Sequence, residues 1–148
     1  MNQIPISKPD TPIAPGLHIV ATPIGNLADM PSRGRDVLSG VDVIACEDKR
    51  HTAKLLNHYG IRTPMTAYHD HNAVRARPAL LRRLANGGAV ALVSDAGTPL
   101  MSDPGYKLVR EAIDAGIAVT GVPGPNAAML ALVLSGLPTD RFMFAGFL

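Results

Sequence analysis

The feature that most constrains the fold of this chain is an apolar segment that ends abruptly in a polar loop. Residues 89–93 (AVALV) are wholly apolar, and residues 94–105 (SDAGTPLMSDPG) bring two aspartates, two glycines and two prolines before a helical pattern begins. A buried strand, a stiff loop and a helix in this order are typical of an open α/β sheet, where ligands bind at the carboxyl ends of strands. A loop of about ten residues is also long enough for functional loops to become common. We therefore predict a ligand site in this loop.

Strand and helix patterns alternate along the whole chain. The spacing of apolar residues predicts six strands, at residues 17–21, 41–45, 65–68, 89–93, 117–122 and 141–145. Five helices are predicted between them, at about residues 31–40, 48–58, 78–86, 104–115 and 126–135. We predict that the third helix begins at about Pro78, because proline suits the first turn of a helix and not its middle. Strict alternation predicts an α/β fold, a mostly parallel sheet with helices on both faces.

Composition is that of a single compact domain. The 148 residues are 47% apolar, enough for one core. Cys46 is the only cysteine, which agrees with a reducing compartment. We find no signal peptide and no apolar run that approaches a membrane span, so we expect a cytoplasmic protein that is not bound to membranes. Residues 1–16 contain four prolines and are predicted to be a flexible leader, followed by one domain over residues 17–148.

Three strand-to-helix loops are expected at the same edge of the sheet. They are residues 22–27, 94–105 and 123–126, and none has the glycine pattern of a dinucleotide or P-loop site. Stiff backbone rich in glycine and proline can offer fixed N–H and C=O groups to a ligand without phosphates, such as an adenosine carrying an amino-acid tail. The alternative is that glycine and proline only mark turns there. Three such loops on one edge favour a binding site.

Several motifs together resemble the tetrapyrrole methylase superfamily. They are residues 21–27 (ATPIGNL), 46–52 (CEDKRHT), 68–72 (YHDHN), 94–105 and 122–126 (VPGPN), and with the tail the resemblance covers about residues 17–148. Within the superfamily the chain most resembles the branch that methylates ribosomal RNA. The resemblance implies a homodimeric enzyme that uses S-adenosylmethionine to methylate the ribose 2′-hydroxyl of a cytidine in 16S rRNA of the small ribosomal subunit. It also implies that this is an N-terminal domain, with the cofactor in a cleft between it and a second α/β domain.

The resemblance also assigns cofactor-binding residues to the three loops. The loop signature of the superfamily after the fourth strand is Gly-Asp-Pro, and this chain has Ser94 and Ala96 around Asp95. That departure fits the ribosomal branch. It weakens the case for a corrin or porphyrin substrate more than it weakens the case for S-adenosylmethionine as the methyl donor. The assigned residues are Pro23, Ile24, Gly25, Asp95, Ala96, Gly97, Thr98, Pro123, Gly124, Asn126 and Ala127.

Candidate catalytic residues follow from the chemistry of the transfer. A sulfonium carries its own leaving group, so methyl transfer needs neither a metal nor a covalent intermediate. Alignment of the hydroxyl with the methyl carbon should supply much of the acceleration, and a base or cation can assist deprotonation. The candidates are Glu47, Asp48, Lys49, Arg50 and Asp103. For Glu47 the alternative role is an acidic residue favoured at a helix N-terminus, and for Asp103 it is a cap of the following helix.

Arginines supply the candidate RNA-binding residues. The densest cluster lies close behind His69 and His71, and it suits a phosphate backbone, although a solvated helix face is the alternative. The two histidines lack further ligands at a useful spacing, so we expect no metal site, and Cys46 is interpreted as structural. The RNA-binding candidates are Arg50, Arg75, Arg77, Arg82 and Arg83.

Two other functions remain open at the level of sequence. One is a methyltransferase for a tetrapyrrole or another small molecule. The other is a module of the same fold that binds RNA without turnover. The motifs at residues 47–52 and 68–72 favour the ribosomal branch over the first, and the three intact loops argue against the second.

Overall fold

The computed structural model describes residues 12–146, in which five strands alternate with five α-helices. The strands are β1 (Gly16–Val20), β2 (Val43–Cys46), β3 (Met65–Ala67), β4 (Ala89–Val93) and β5 (Val119–Val122). The helices are α1 (Ser32–Gly40), α2 (Lys49–His58), α3 (Ala73–Ala85), α4 (Tyr106–Asp114) and α5 (Ala127–Leu134), and a short 3₁₀ helix (Leu27–Asp29) follows β1. The predicted flexible leader lies largely outside the described residues.

The strands form one sheet in the order β3-β2-β4-β1-β5, and every pair is parallel. All five residues of β4 are buried, as expected for a strand covered on both faces. The α/β fold and its parallel sheet with helices on both faces are therefore confirmed.

Two hydrophobic cores lie on opposite faces of the sheet. Leu38 of α1 and Leu56 of α2 belong to one core, and Leu80 of α3 and Leu108 of α4 belong to the other. The connections that leave β1 and β2 therefore pass to one face, whereas the connection that leaves β4 passes to the other. Since β4 lies between β1 and β2, a crevice opens on each side of its carboxyl end, which is where open α/β sheets bind ligands.

The predicted sixth strand is wrong. Residues 141–146 are exposed and form no strand. Phe142 is 55% exposed and Met143 is 86% exposed, so nothing in the described part of the chain buries the apolar pattern. The apolar pattern indicates an apolar surface. A strand also requires a neighbouring strand whose backbone N–H and C=O groups are free to pair with it.

The predicted start of the third helix at Pro78 is also wrong, because α3 begins at Ala73 and contains Pro78 in its interior. Asn72 organises the first turn: its side chain accepts a hydrogen bond from the His69 amide at 2.9 Å, and its carbonyl accepts one from Ala76 at 3.0 Å. Proline removes the bond to the carbonyl of Val74. Val74 is 75% exposed, so water can satisfy that carbonyl and the helix tolerates the proline.

Helix α5 differs from the other helices because it is apolar and exposed. Its sequence is AAMLALVL, and none of its residues is buried. Leu130, Val133 and Leu134 are 60%, 68% and 76% exposed. Among residues 12–146, no helix combines the length and the apolar character needed to cross a membrane.

Candidate active site

The three predicted loops meet at the carboxyl edge of the sheet and are joined by hydrogen bonds. Thr22 and Gly97 form a two-bond bridge between the loops after β1 and β4, with both N–O distances 2.9 Å. The Thr22 hydroxyl also donates to the Ser94 carbonyl at 3.3 Å, and the Thr98 hydroxyl donates to the Pro125 carbonyl at 3.1 Å. The loops after β1, β4 and β5 therefore form one connected surface.

Two glycines allow these loops to approach one another closely. Gly97 has φ +79°, and a Cβ there would lie 3.2 Å from Cδ1 of Ile24. A Cβ on Gly124 would lie 3.0 Å from Cβ of Ala21 and 3.0 Å from Cγ of Pro31. Both glycines were predicted as cofactor-binding residues, and the structure gives each a packing reason.

An apolar groove of about 670 Å³ opens beside this surface, between the loops after β1 and β5 and helix α5. Asn126 begins α5 and accepts a hydrogen bond from the Met129 amide at 3.0 Å. Four predicted cofactor-binding residues line the groove, and five other residues complete it. The lining consists of Ile24, Gly124, Asn126 and Ala127 together with Asp29, Pro125, Met129, Leu130 and Val133.

Carboxylates gather on the other side of the β4 loop. Asp95 accepts a hydrogen bond from the Asp48 amide at 3.2 Å and so ties the β4 loop to the end of β2. Burial raises the pKa of Glu47 above its ordinary value, and the negative charges of Asp95, Asp103 and Asp70 raise it further, with His69 opposing. Burial also raises the pKa of Asp103; the Ser94 hydroxyl partly opposes this and Asp95 adds to it. The structure thus brings Glu47 and Asp103 into one acidic cluster.

The helix ends show where these carboxylates lie relative to the caps of α2 and α4. Asp48 is the N-cap of α2, where its carboxylate accepts a 2.7 Å hydrogen bond from the Arg50 amide, and that bond lowers its pKa. Glu47 precedes the cap. Asp103 does not cap α4, because α4 begins at Tyr106 with Gly105 at the N-cap and no side-chain capping bond. Lys49 is exposed on the first turn of α2.

The loop after β4 contains two residues in the left-handed region. Leu100 has φ 71° and Ser102 has φ 60°, and both are non-glycine residues between Asp95 and Asp103. Such conformations cost energy and persist where the surroundings enforce them, most often at binding and catalytic sites.

The predicted arginines do not form one cluster. Arg77 is mostly enclosed and forms an ion pair with Glu111, with its Nε 2.8 Å from the carboxylate, so it pairs within the fold. Arg82 and Arg83 lie in the last turn of α3, at the opposite end of the sheet from the loops. Arg75 is exposed near the start of α3, and Arg50 is exposed beside Asp48, 3.8 Å away.

Thr22, Tyr68 and Tyr106 were not predicted as site residues. Thr22 joins the loops, Tyr68 is buried at the end of β3, and Tyr106 is 64% exposed at the start of α4. A polar residue directly after a buried strand was the available signal for Thr22. Within residues 12–146, no three His, Cys, Asp or Glu side chains are grouped so as to hold a metal ion. Cys46 is buried, and burial raises the pKa of its thiol, which agrees with a structural role.

Residues 16–147 match the family model described as tetrapyrrole (corrin/porphyrin) methylases. The chain therefore belongs to the tetrapyrrole methylase family.

Within that family, the chain is similar to curated proteins named ribosomal RNA small subunit methyltransferase I. The relative from Mesorhizobium japonicum is 58% identical over 140 residues, covering 95% of this chain and 48% of its own length. The relative from Escherichia coli O157:H7 is 56% identical over 132 residues, covering 89% of this chain and 46% of its own length. The chain spans about half the length of these relatives.

Solved structures show the same fold. A conserved hypothetical protein from Aeropyrum pernix K1 has a TM-score of 0.69 at 22% identity, over 88% of this chain and 46% of that chain. A uroporphyrin-III C-methyltransferase from Thermus thermophilus has a TM-score of 0.61 at 22% identity, over 84% of this chain and 53% of that chain. At this identity the likeness concerns the fold alone.

Proposed function

We propose that this chain forms the cofactor-binding part of an S-adenosylmethionine-dependent methyltransferase whose substrate is the ribose 2′-hydroxyl of a cytidine in 16S rRNA. The observation that carries the proposal is the surface of three joined loops at the carboxyl edge of the sheet, beside an apolar groove between the loops after β1 and β5. The name and the 58% identity of the Mesorhizobium japonicum relative support an rRNA substrate.

The groove suits the donor for a chemical reason. S-adenosylmethionine has an apolar adenine face, polar edges and no phosphate, and when bound it supplies an electrophilic methyl group on a sulfonium. The apolar residues Ile24 and Leu130 would pack against the adenine, and backbone groups around Gly124 would donate and accept hydrogen bonds. The further cofactor-binding residues in the proposal are Pro23, Gly25, Asp95, Ala96, Thr98, Pro123, Asn126 and Ala127.

The acidic cluster is the proposed acceptor side. Glu47 would accept the proton from the 2′-hydroxyl, because its raised pKa brings it closer to the pH at which it works. Asp103 shares its environment, and Asp48 and Lys49 at the start of α2 are the neighbouring candidates. Cations on the same chain would hold the RNA backbone, with Arg50, Arg75, Arg82 and Arg83 exposed for that role and Arg77 held by Glu111.

We further propose that a second domain closes the cleft and that the enzyme is a homodimer. The relatives are about twice as long as this chain, and the apolar α5 offers a surface that a domain or a second copy could bury. An rRNA substrate would place the reaction in the cytoplasm.

The test is a hybrid enzyme. This chain replaces the N-terminal half of the E. coli relative, and the hybrid is expressed in cells from which the gene of that relative has been deleted. We expect one restored 2′-O-methylcytidine in 16S rRNA, detected by mass spectrometry of nuclease digests. A folded hybrid that binds S-adenosylmethionine and methylates a tetrapyrrole would support the small-molecule alternative. A hybrid that binds RNA but neither binds nor transfers from the donor would support the non-catalytic module.

A further inference from the structure

A second cavity lies on the side of the β4 loop away from the apolar groove. It measures about 190 Å³ and is enclosed by the end of β3, the first turns of α3 and the start of α4. It opens at the same carboxyl edge as the acidic cluster. The lining residues that matter here are Tyr68, Asp70, Arg77, Asp103, Tyr106 and Lys107.

The lining combines hydrogen-bond acceptors, donors and an aromatic ring. Asp70 and Asp103 supply carboxylates, and Lys107 supplies an exposed ammonium. Tyr106 is 64% exposed, so much of its surface is accessible to a ligand. A site built in this way recognises a small, flat molecule that has both donors and acceptors on its edge.

Arg77 adds a guanidinium that the fold holds in place at the cavity wall. Its Nε lies 2.8 Å from the Glu111 carboxylate, and a side-chain hydrogen bond with Tyr68, another lining residue, raises the pKa of the guanidinium. The Arg77 side chain is still 15% exposed, so part of it is available to donate to a ligand carbonyl.

We propose that this cavity receives the base of the target nucleotide, a pyrimidine turned out of its stack. This inference rests on the proposed function and assigns the acceptor part of the same cleft. Carboxylates accept from the exocyclic amine of cytosine, an arginine donates to its carbonyl, and single-stranded bases stack on aromatic side chains. The cavity is smaller than the roughly 300–1,000 Å³ of sites for drug-sized ligands, as a pocket for one base should be.

The position of the cavity suits the reaction as well as the base. Asp103 lines the cavity and also contributes to the charge around Glu47. A base held against Tyr106 would therefore carry its ribose toward the acidic cluster. The methyl donor in the apolar groove would approach from the other side of the β4 loop.

The first test is direct binding of cytidine 5′-monophosphate to the 148-residue chain, followed by NMR. We expect the amide signals of Tyr106, Lys107 and Asp70 to shift. Ribose 5-phosphate and adenosine 5′-monophosphate should bind roughly fivefold or more weakly, the loss expected when base stacking is absent or the base does not fit. Equal binding of ribose 5-phosphate would overturn the proposal, and so would equal binding of the adenine nucleotide or shifts confined to other surfaces.

Matched variants separate a base pocket from a structural role. Tyr106→Leu should weaken cytidine monophosphate binding by roughly fivefold or more, and Tyr106→Phe, which keeps the ring, should not. Arg77→Gln should also weaken cytidine monophosphate binding. Glu111→Gln is its control, because it removes the ion-pair partner of Arg77 but leaves the guanidinium in place. Tyr106→Leu with unchanged affinity would contradict the assignment.

The same variants distinguish this inference from the proposed function. In the hybrid enzyme, Tyr106→Leu should raise KM for small ribosomal subunits and leave KM for S-adenosylmethionine unchanged. If the nucleotide binds at this cavity but the protein does not bind S-adenosylmethionine, the proposed function would be wrong and the assignment of the base pocket would still hold. If Tyr106→Leu leaves methylation unchanged, the proposed function would still hold, but the assignment of this cavity as the base pocket would be wrong.

Discussion

Thr22 and Gly97 exchange two backbone hydrogen bonds of 2.9 Å between loops that leave β1 and β4 for opposite faces of the sheet. The bridge spans the crevice between these strands and fixes the loop backbone against Ile24, whose Cδ1 is 3.2 Å from the site of a Cβ on Gly97. A rigid backbone at this point is what a donor site needs, since preorganised groups lose little freedom on binding.

Gly97→Ala tests this rigidity. The left-handed backbone at Gly97 should cost roughly 1–2 kcal/mol of stability once a Cβ is present. The methyl group would also press on Ile24, and we expect S-adenosylmethionine affinity to fall about tenfold, equivalent to ~1.4 kcal/mol. Gly87→Ala is the control, because Gly87 has the same φ of +79° and nothing within 4 Å of its Cβ position. Equal loss of affinity in both variants would mean that the effect is not local.

Glu47→Gln tests the proposed base. The amide keeps the size and can accept a hydrogen bond but cannot take a proton, so turnover in the hybrid enzyme should fall roughly 10²-fold or more, with donor affinity nearly intact. Raising the pH should not restore the variant. Near-normal turnover would remove Glu47 from the mechanism and leave Asp48, Lys49, Asp103 or alignment alone.

Asp103→Asn should stabilise the fold at neutral pH. Because burial raises the folded-state pKa of Asp103, the folded protein binds its proton more tightly than the unfolded chain does. The resulting stabilisation is fully present below the ordinary carboxyl pKa and is lost as pH rises through the raised pKa. The melting temperature of Asp103→Asn should therefore exceed that of the parent at pH 7, and the difference should shrink as pH falls through this window. A constant difference across the window would contradict the titration of Asp103.

Arg82→Ala combined with Arg83→Ala tests RNA binding by α3. Each lost phosphate contact should reduce the slope of log affinity against log salt by roughly one unit. Arg110→Ala is a suitable control, since Arg110 is equally a helix-surface arginine but pairs with Asp114 at 3.2 Å. The measurement is RNA affinity of the hybrid enzyme across a salt series. An unchanged slope would mean that Arg82 and Arg83 only form a solvated helix face. Their distance from the loops is compatible with that outcome.

The chain alone should bind S-adenosylmethionine more weakly than the hybrid enzyme and should not transfer the methyl group. The reason is that Leu130 and Val133 of the groove are 60% and 68% exposed, so one wall of the proposed cleft is open to water. Calorimetric titration of both proteins measures the difference. Micromolar binding together with full methyl transfer by the 148 residues would overturn the two-domain site.

Sequence patterns predicted the sheet well where burial dictates structure. β4 was predicted with its observed bounds because a strand buried on both faces must be apolar throughout. The patterns failed where pairing or local hydrogen bonds decide. Residues 141–145 have an apolar pattern but no partner strand within residues 12–146. Asn72 starts α3 before Pro78 through hydrogen bonds that no periodicity reveals.

The candidate site divides in a similar way. Gly97, Gly124 and Asn126 were predicted as cofactor-binding residues from the family resemblance, and that role stays a prediction. The structure gives the two glycines a packing reason and makes Asn126 the cap of α5. Arg77 was predicted as an RNA-binding residue, but it pairs with Glu111 and so joins two helices that are distant in sequence. Tyr106 was missed because an aromatic residue at the start of a helix looks like an ordinary core residue until its exposure is known.

The loop after β4 connects the two proposed binding sites of the cleft. At one end, Gly97 and Thr98 hold the backbone beside the groove, and at the other end Asp103 lines the smaller cavity. A rearrangement of this loop therefore reaches both compartments. If the donor and the nucleotide bind as proposed, any factor by which one changes the affinity for the other must hold in both directions.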